Sequence, residues 1–350
     1  MRAWMGGAAL TLGALALAGC HGTGNGGEGA SRSQIRIVGS STVYPFTTAV
    51  AERFARANPA LKAPIVESTG TGGGMKLFCA GVGAGHPDIE DASRRIKKSE
   101  FDTCRKNGVN NIVEIQVGID GLAFIEARNG PAIKLTLDTI YKALAANPYG
   151  KPNAAKTWKD VDPALPAVAI HVLGPPPTSG TRDALAEMIL EKGCDLNPEM
   201  KALKTSDENK HKDLCTKVRE DGVYVEAGEN DNLIVQKVEA SPGTVGIMGY
   251  SYLEANGDKV RGLPVNNVVP SYATISSFAY PGARPLYIYV KGEHLKVIPG
   301  IREFLAEYAN AWGNGGYLVK RGLIASPADV AAAAAAQVKA LKPLTGDELK

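Results

Sequence analysis

IRIVGSSTVYPFTTAVAERFARAN, residues 35–58, is the stretch whose reading decides the fold. Ile35 to Gly39 reads as a short strand, apolar and β-branched, closed by a glycine. From Phe46 onward the period changes. Phe46, Ala49, Val50 and Phe54 share one helical face, Pro45 suits the first turn, and Asn58-Pro59 ends the helix. Between the two lies Gly39-Ser40-Ser41-Thr42-Val43-Tyr44-Pro45, a knot of small hydroxylated residues. A helix start leaves backbone N–H groups without partners at the positive end of the dipole. Hydroxyls there add donors, and glycine lets a ligand come close to the backbone. The stretch therefore predicts a β-turn-α unit whose turn suits an anion.

The same design recurs twice. Ser68-Thr69-Gly70-Thr71-Gly72-Gly73-Gly74 follows a strand at Ala63–Ser68 and precedes a short helix through Met75, Leu77 and Phe78. Thr178-Ser179-Gly180-Thr181-Arg182 follows a strand at Ala167–Gly174. It opens a helix with Leu185, Met188 and Ile189 inward and Gly193 at its C-cap. Helix capping alone explains any single one of these turns. Three of them, each denser in hydroxyls and glycine than capping needs, point to a shared oxyanion site. A fourth segment, Asp91-Ala92-Ser93-Arg94-Arg95, precedes a helix begun by Ser99 and adds charge. Arg94 and Arg182 read as ligand contacts, since a guanidinium offers two parallel N–H donors to an oxyanion. Arg95, Lys97 and Lys98 read as a solvated basic face. Glu229-Asn230-Asp231-Asn232 reads either as a solvated loop or as an acceptor in the site.

Outward from these turns, short apolar runs alternate with helical stretches, the pattern of an α/β architecture. Ile112–Ala127 is a long β-rich segment, and residues 135–147 form a helix capped by Asp138 or Thr136. Gly243–Leu253 and Arg284–Val290 read as strands, residues 301–312 as an amphipathic helix, and Ser326-Pro327 opens a last, alanine-rich helix. The β-rich stretches 112–127 and 274–290 are candidate crossovers between two lobes. Lobe one is then residues 34–118 plus 287–350, and lobe two is residues 119–286.

The 350 residues carry 39 Lys plus Arg against 36 Asp plus Glu, a net charge of +3, without a basic stripe or tail; this argues against nucleic acid as a partner. Residues 1–19 hold one charge, Arg2, and a short apolar run, as a secretory signal does. Leu17-Ala18-Gly19-Cys20 resembles a lipobox, so Cys20 is the expected lipidated N-terminus, followed by a glycine-rich tether to residue 33. The expected location is the periplasmic or cell-surface face of a bacterial membrane. Four further cysteines in an exported chain suggest two disulfides in one of three connectivities. The sequential one, Cys79–Cys104 and Cys194–Cys215, closes the shortest loops. No cofactor or metal is expected, because neither CxxC nor HxxxH spacing occurs. Enzyme motifs fail as well. Gly74 is followed by Met75-Lys76-Leu77 rather than by the Lys-Ser/Thr of a phosphate-binding loop, there is no GxSxG elbow, and Ser179 has no evident His/Asp partners.

The ordered set Gly39–Pro45, Thr69–Gly74, Ala92–Arg94 and Ser179–Thr181, with Phe78–Gly81 and Pro242–Tyr250, resembles the phosphate-binding proteins that feed bacterial ABC importers. The resemblance runs from about Ile35 to Leu318. It implies a type II periplasmic-binding-protein fold, two α/β lobes joined by two crossover strands with the ligand cleft between them. It further implies a non-catalytic, monomeric receptor for inorganic phosphate that docks on a membrane ABC permease. Carried over by position, Ser41, Thr42 and the Val43 N–H would hold phosphate, with Thr71, Ser179, the Gly180 N–H and Thr181. The family's proton-accepting Asp is matched by Ser93, and its Arg four residues before the SGT serine by Pro175. Arg94 and Arg182 then replace the lost cation, and Glu229 or Asp231 is the candidate proton acceptor. The rival readings are the same scaffold holding sulfate, molybdate or tungstate, and a secreted phosphatase using Ser41 or Ser179.

Overall fold

The structure is a computed structural model and describes residues 32–228 and 231–349. The expected signal, Cys20 with the tether up to residue 31, and Glu229 lie outside the described residues. Among the described residues, nine strands form the sheet framework. They are β1 (Arg36–Gly39), β2 (Ile65–Ser68), β3 (Ile89–Ala92), β4 (Ile112–Ala127), β5 (Val172–Gly174), β6 (Tyr224–Glu226), β7 (Val245–Gly249), β8 (Val260–Gly262) and β9 (Ala283–Lys291). The order is β2-β1-β3-β9-β4-β7-β5-β6, with β8 on the far half of β4.

Two strands are long because each serves two neighbourhoods. The first half of β4 pairs antiparallel with β9, from Ile112↔Lys291 to Gly121↔Ala283, and β9 pairs with β3. Beyond Gly121, β4 leaves β9 and pairs with β7 and β8. Parallel βα units flank both ends, β1 with β2 and β3, and β5 with β6 and β7. The apolar side chains segregate accordingly. One cluster gathers Ile37, Val50, Phe54, Ile288, Phe304 and Tyr308, and a smaller one Met75, Phe78, Phe101 and Tyr289. Another gathers Phe124, Tyr141, Trp158, Leu185, Ile189 and Ile247. Both disulfides take the sequential pairing, Cys79–Cys104 and Cys194–Cys215. Among the described residues, no helix is long and apolar enough to cross a membrane.

The opening stretch folds as its sequence predicts. The helix is Tyr44–Ala57, with Phe46, Ala49, Val50 and Phe54 buried and Asn58 as its C-cap. The glycine-rich segment does not: Thr71 to Gly74 form the first turn of the helix Thr71–Phe78 rather than a loop before it. The reason is packing. A Cβ on Gly74 would stand 2.5 Å from the Cα of Gly39, and Gly39 itself has φ +136° with the Asp91 carbonyl against it. The glycines let that helix lie directly on β1.

Three other expectations need correction. Gly243–Leu253 splits into β7 and the helix Tyr250–Ala255. The second crossover starts at Ala283, since Tyr272–Ser276 is a helix capped by Ser271. Gly193 is no C-cap but lies inside the helical turn Glu191–Cys194, where its missing side chain clears the Leu137 carbonyl; the helix passes through a π-helical stretch, Leu185–Leu190.

Candidate functional site

A cavity of about 640 Å³ opens where the turn after β1 meets the turn after β5. Ser41 and Thr42 line it from one side, Thr178 to Thr181 from another, and Asp120, Asp231, Ser251 and Arg321 complete the polar wall. Each group arrives by a local rule. Ser41 and Thr42 precede the helix Tyr44–Ala57, whose N-terminus faces the cavity. Ser179 caps the helix that begins Gly180–Ala184, accepting from the Thr181 N–H at 3.2 Å. Two positive helix ends thus converge on one space.

The two turns touch. Thr42 Oγ1 donates to the Gly180 carbonyl at 3.0 Å, and Ser41 Oγ donates to the Asp183 carboxylate. Gly180 must be glycine for this approach, because a Cβ there would lie 2.4 Å from the Thr42 Cα. Ser40 closes the first turn from inside, its Oγ accepting from the N–H groups of Thr42 (3.1 Å) and Val43 (3.4 Å). Ser40 in turn hangs from β3, donating its N–H to the Asp91 carbonyl at 2.7 Å.

A buried cation, Arg284, stands behind the seam; the sequence reading missed it, and it reaches the cavity through Thr42 and Asp120 without lining it itself. Its side chain is 6% exposed, and its three nitrogens fan out to three elements. Nη2 donates to Thr42 Oγ1 at 2.7 Å, Nη1 to Glu187 at 2.9 Å and Nε to Asp120 at 3.2 Å. Asp120 and Arg284 are direct cross-strand partners in the β4–β9 ladder. A signal was present: both crossovers are apolar runs that carry charged residues, Glu114, Asp120 and Glu126 in β4 and Arg284 and Lys291 in β9, and charge in a largely buried strand is rarely idle. Burial raises the pKa of Glu187, and the Arg284 charge opposes that rise.

The expected cations go elsewhere. Arg94 forms a two-pronged pair with Glu100, at 2.9 and 2.7 Å, and does not line the cavity. Glu100 is fixed for this role because it also caps its own helix, accepting from the Lys97 N–H. Arg182 lies 4.6 Å from the centroid of the Tyr224 ring and donates to the Pro175 carbonyl at 3.2 Å. The aromatic face and the carbonyl hold it on the flank of the cleft. Thr71 and Ser93 are brought together, but with each other: their hydroxyls are 3.0 Å apart, buried, and outside the cavity lining. Arg95 pairs with Glu114 on the surface.

Asp231 does reach the cavity. It is 7% exposed, and burial pushes its pKa up to about 6 against the pull of the Gly249 N–H, which donates to it at 3.2 Å. Behind the site, burial raises Asp91 to about 8 although Thr47 donates to it at 2.9 Å, and it raises the neighbouring Glu90 well above the usual range. Among the described residues no histidine lines the cavity; His171 contacts Thr244 and His211 contacts Asp195. Asp195, His211 and Cys215 cluster at metal-ligand distance, yet the Cys215 sulfur is spent in its disulfide.

A family model described as a PBP superfamily domain matches residues 25–311. The chain belongs to the PBP superfamily. Protein SphX of Synechococcus elongatus is 33% identical to this PBP chain over 322 residues, 89% of this chain and 83% of its own. The phosphate-binding protein PstS of Staphylococcus saprophyticus is 30% identical over 306 residues, 85% and 81% of the two chains. The crystal structure of a possible phosphate binding protein from Planctomyces limnophilus aligns with a TM-score of 0.70 at 29% identity, over 89% of this chain and 99% of that one. An ABC-type phosphate transport receptor from Vibrio cholerae aligns at 0.58 and 20% identity, over 84% and 100%, a likeness of fold. The PBP architecture here is the type II one: two α/β lobes joined by the crossover strands β4 and β9, with the cleft between them.

Proposed function

We propose that this PBP chain is an extracytoplasmic receptor that captures inorganic phosphate between two lobes, residues 34–118 plus 287–350 and residues 119–286, and delivers it to an ABC permease. The observation that carries the reading is the seam itself. Two helix N-termini and their hydroxyl turns, Ser41-Thr42 and Ser179-Gly180-Thr181, converge on one cavity beside a buried arginine. Such an arrangement favours a small oxyanion over any neutral ligand. The phosphate-binding PstS relative and the 29% identical neighbour, a possible phosphate binding protein, support phosphate as that anion.

In this mechanism phosphate replaces the Asp183 carboxylate on Ser41. Its oxygens take the N–H groups of Thr42 and Val43, which Ser40 now satisfies, that of Thr181, which Ser179 now satisfies, and that of Gly180. Ligand that contacts both turns stabilises the closed form over the open one, and the closed form is what a permease would read. Asp231 accepts the proton of hydrogen phosphate; sulfate has none to give and meets a bare carboxylate. A hydrolase has less support, since no histidine stands beside Ser41 or Ser179 to activate it. The receptor acts as a monomer held to the membrane through a lipid on Cys20.

The test is a calorimetric titration of anion-free protein with phosphate and sulfate. Phosphate should bind with sulfate competing weakly. Asp231→Asn should weaken phosphate by at least about tenfold, the worth of a hydrogen bond to a charged group, and narrow the gap to sulfate. A folded wild-type protein that takes up no phosphate would end this reading.

A further inference from the structure

The cavity is larger than its anion. The turns are already in contact at Thr42–Gly180 and Ser41–Asp183, so the seam is shut at its inner edge. About 640 Å³ nevertheless remains beside it. That volume falls within the roughly 300–1,000 Å³ of pockets that hold drug-sized organic ligands. A phosphate ion has five heavy atoms and leaves most of it unfilled. The surplus also has its own chemistry. Away from the hydroxyl turns the wall mixes polar groups, among them Ser68, Asp120, Asp231 and Ser251, with apolar and aromatic side chains, Tyr44, Pro45, Phe46, Val66 and Tyr252. Tyr44 and Tyr252 are 36% and 38% exposed. Receptor surface of this kind gains little from contact with a bare anion, which prefers N–H and O–H donors.

We propose that the site also takes substituted phosphates, phosphonates and phosphomonoesters with a small aromatic or alkyl group. The proposal rests on the phosphate reading above. The charged head keeps three terminal oxygens, which sit at the two helix N-termini as those of phosphate do. The fourth substituent projects from the seam toward the lining that carries Tyr44 and Tyr252, where burying its apolar surface offsets the hydrogen bond lost with the fourth oxygen. Arg321, on the exposed rim of the same wall, suits substituents that end in a carboxylate.

Phenylphosphonate is the probe, titrated into the anion-free protein by calorimetry alongside phosphate. Phenylphosphonate should bind and should compete with phosphate for one site. Tyr252→Ala should lower its affinity at least tenfold more than that of phosphate, with Tyr44→Ala as a second variant reporting on the same lining. Phosphate binding without phenylphosphonate binding would overturn the chamber and leave the receptor function standing. Equal losses for both ligands in both variants would also overturn it, because the tyrosines would then serve the head rather than the substituent. Failure of both ligands to bind removes the phosphate reading, and the chamber with it.

Discussion

Replacing Arg284 by methionine isolates what the buried cation does. The side chain is nearly the same length and apolar, so the space stays filled while the three donors to Thr42, Glu187 and Asp120 disappear. The local charge of arginine plus two carboxylates goes from −1 to −2. For a ligand roughly 8 Å away at an effective dielectric of about 20, one unit of charge is worth about 2 kcal/mol against a monoanion and about 4 against a dianion. Phosphate affinity should therefore fall about 30-fold for the singly charged ion and several hundredfold for the doubly charged one. Stability should fall less. Asp120 and Glu187 are 20% and 41% exposed, so water partly replaces the lost partner and about 1–2 kcal/mol is expected.

The pH dependence adds an internal check. Burial already raises the Glu187 pKa and Arg284 opposes it. Without the arginine, Glu187 takes up its proton at a higher pH, which removes one of the two repelling charges. The affinity deficit of Arg284→Met, measured by calorimetry relative to wild type at each pH, should shrink as the pH falls from 8 to 5. Arg284→Lys, which keeps the charge and loses the fork, should recover most of the affinity. A folded Arg284→Met protein that binds phosphate within threefold of wild type would refute the assignment.

Other perturbations read other parts of the molecule. Gly180→Ala should lower the melting temperature as well as phosphate affinity, because its Cβ would lie 2.4 Å from the Thr42 Cα across the contact the two turns already make; thermal melts and calorimetry read the two losses. Asp91→Asn should change the pH profile of stability. The folded pKa of Asp91 is raised to about 8, so the folded state holds an extra proton above about pH 4 and wild-type stability falls as the pH rises toward 8. The variant should lose that slope and gain on wild type by a few kcal/mol between pH 5 and 8 in denaturant melts. The Cys194→Ala/Cys215→Ala protein, opened across a sequence separation of 21, should lose about 3 kcal/mol in the same assay and keep its affinity, since that bridge lies outside the cavity lining.

Period and punctuation made most of the fold legible. The helix of residues 44–57 follows from four apolar residues at helical spacing, a proline and an Asn-Pro stop, all local information. Elements failed where tertiary contacts set the boundary. Gly-rich residues 71–74 look like a loop but form the first turn of a helix that lies on β1, where Gly74 leaves no side chain in the way. Tyr250–Ala255 looks like more strand, because its apolar residues continue those of β7; the helix is set by what lies around it. The hydroxyl turns of the site were readable for the same reason as the helices they open. Ser41, Thr42, Ser179, Gly180 and Thr181 do line one cavity, whereas Thr71 and Ser93 satisfy each other below it.

The cations were not readable by the same means, and the reason is general. An arginine next to a ligand turn in sequence is also next to everything else there. Arg94 is captured by Glu100 six residues on, and Arg182 by the ring of Tyr224 on the adjoining strand. Proximity along the chain gives a guanidinium many partners, and the nearest carboxylate or aromatic face wins before any ligand arrives. Arg284 is paired with carboxylates as well, but its partners come from the topology rather than from the local sequence: β9 carries it to the seam, opposite Asp120 on β4 and against Glu187. Placing the charge on a crossover strand couples it to both lobes at once, to Thr42 on one side and Glu187 on the other. A cation so placed feels the distance between the lobes directly. In the proposed receptor function, a ligand that holds Thr42 against Arg284 keeps the two lobes together, while Asp120 and Glu187 balance the arginine charge when no anion is bound.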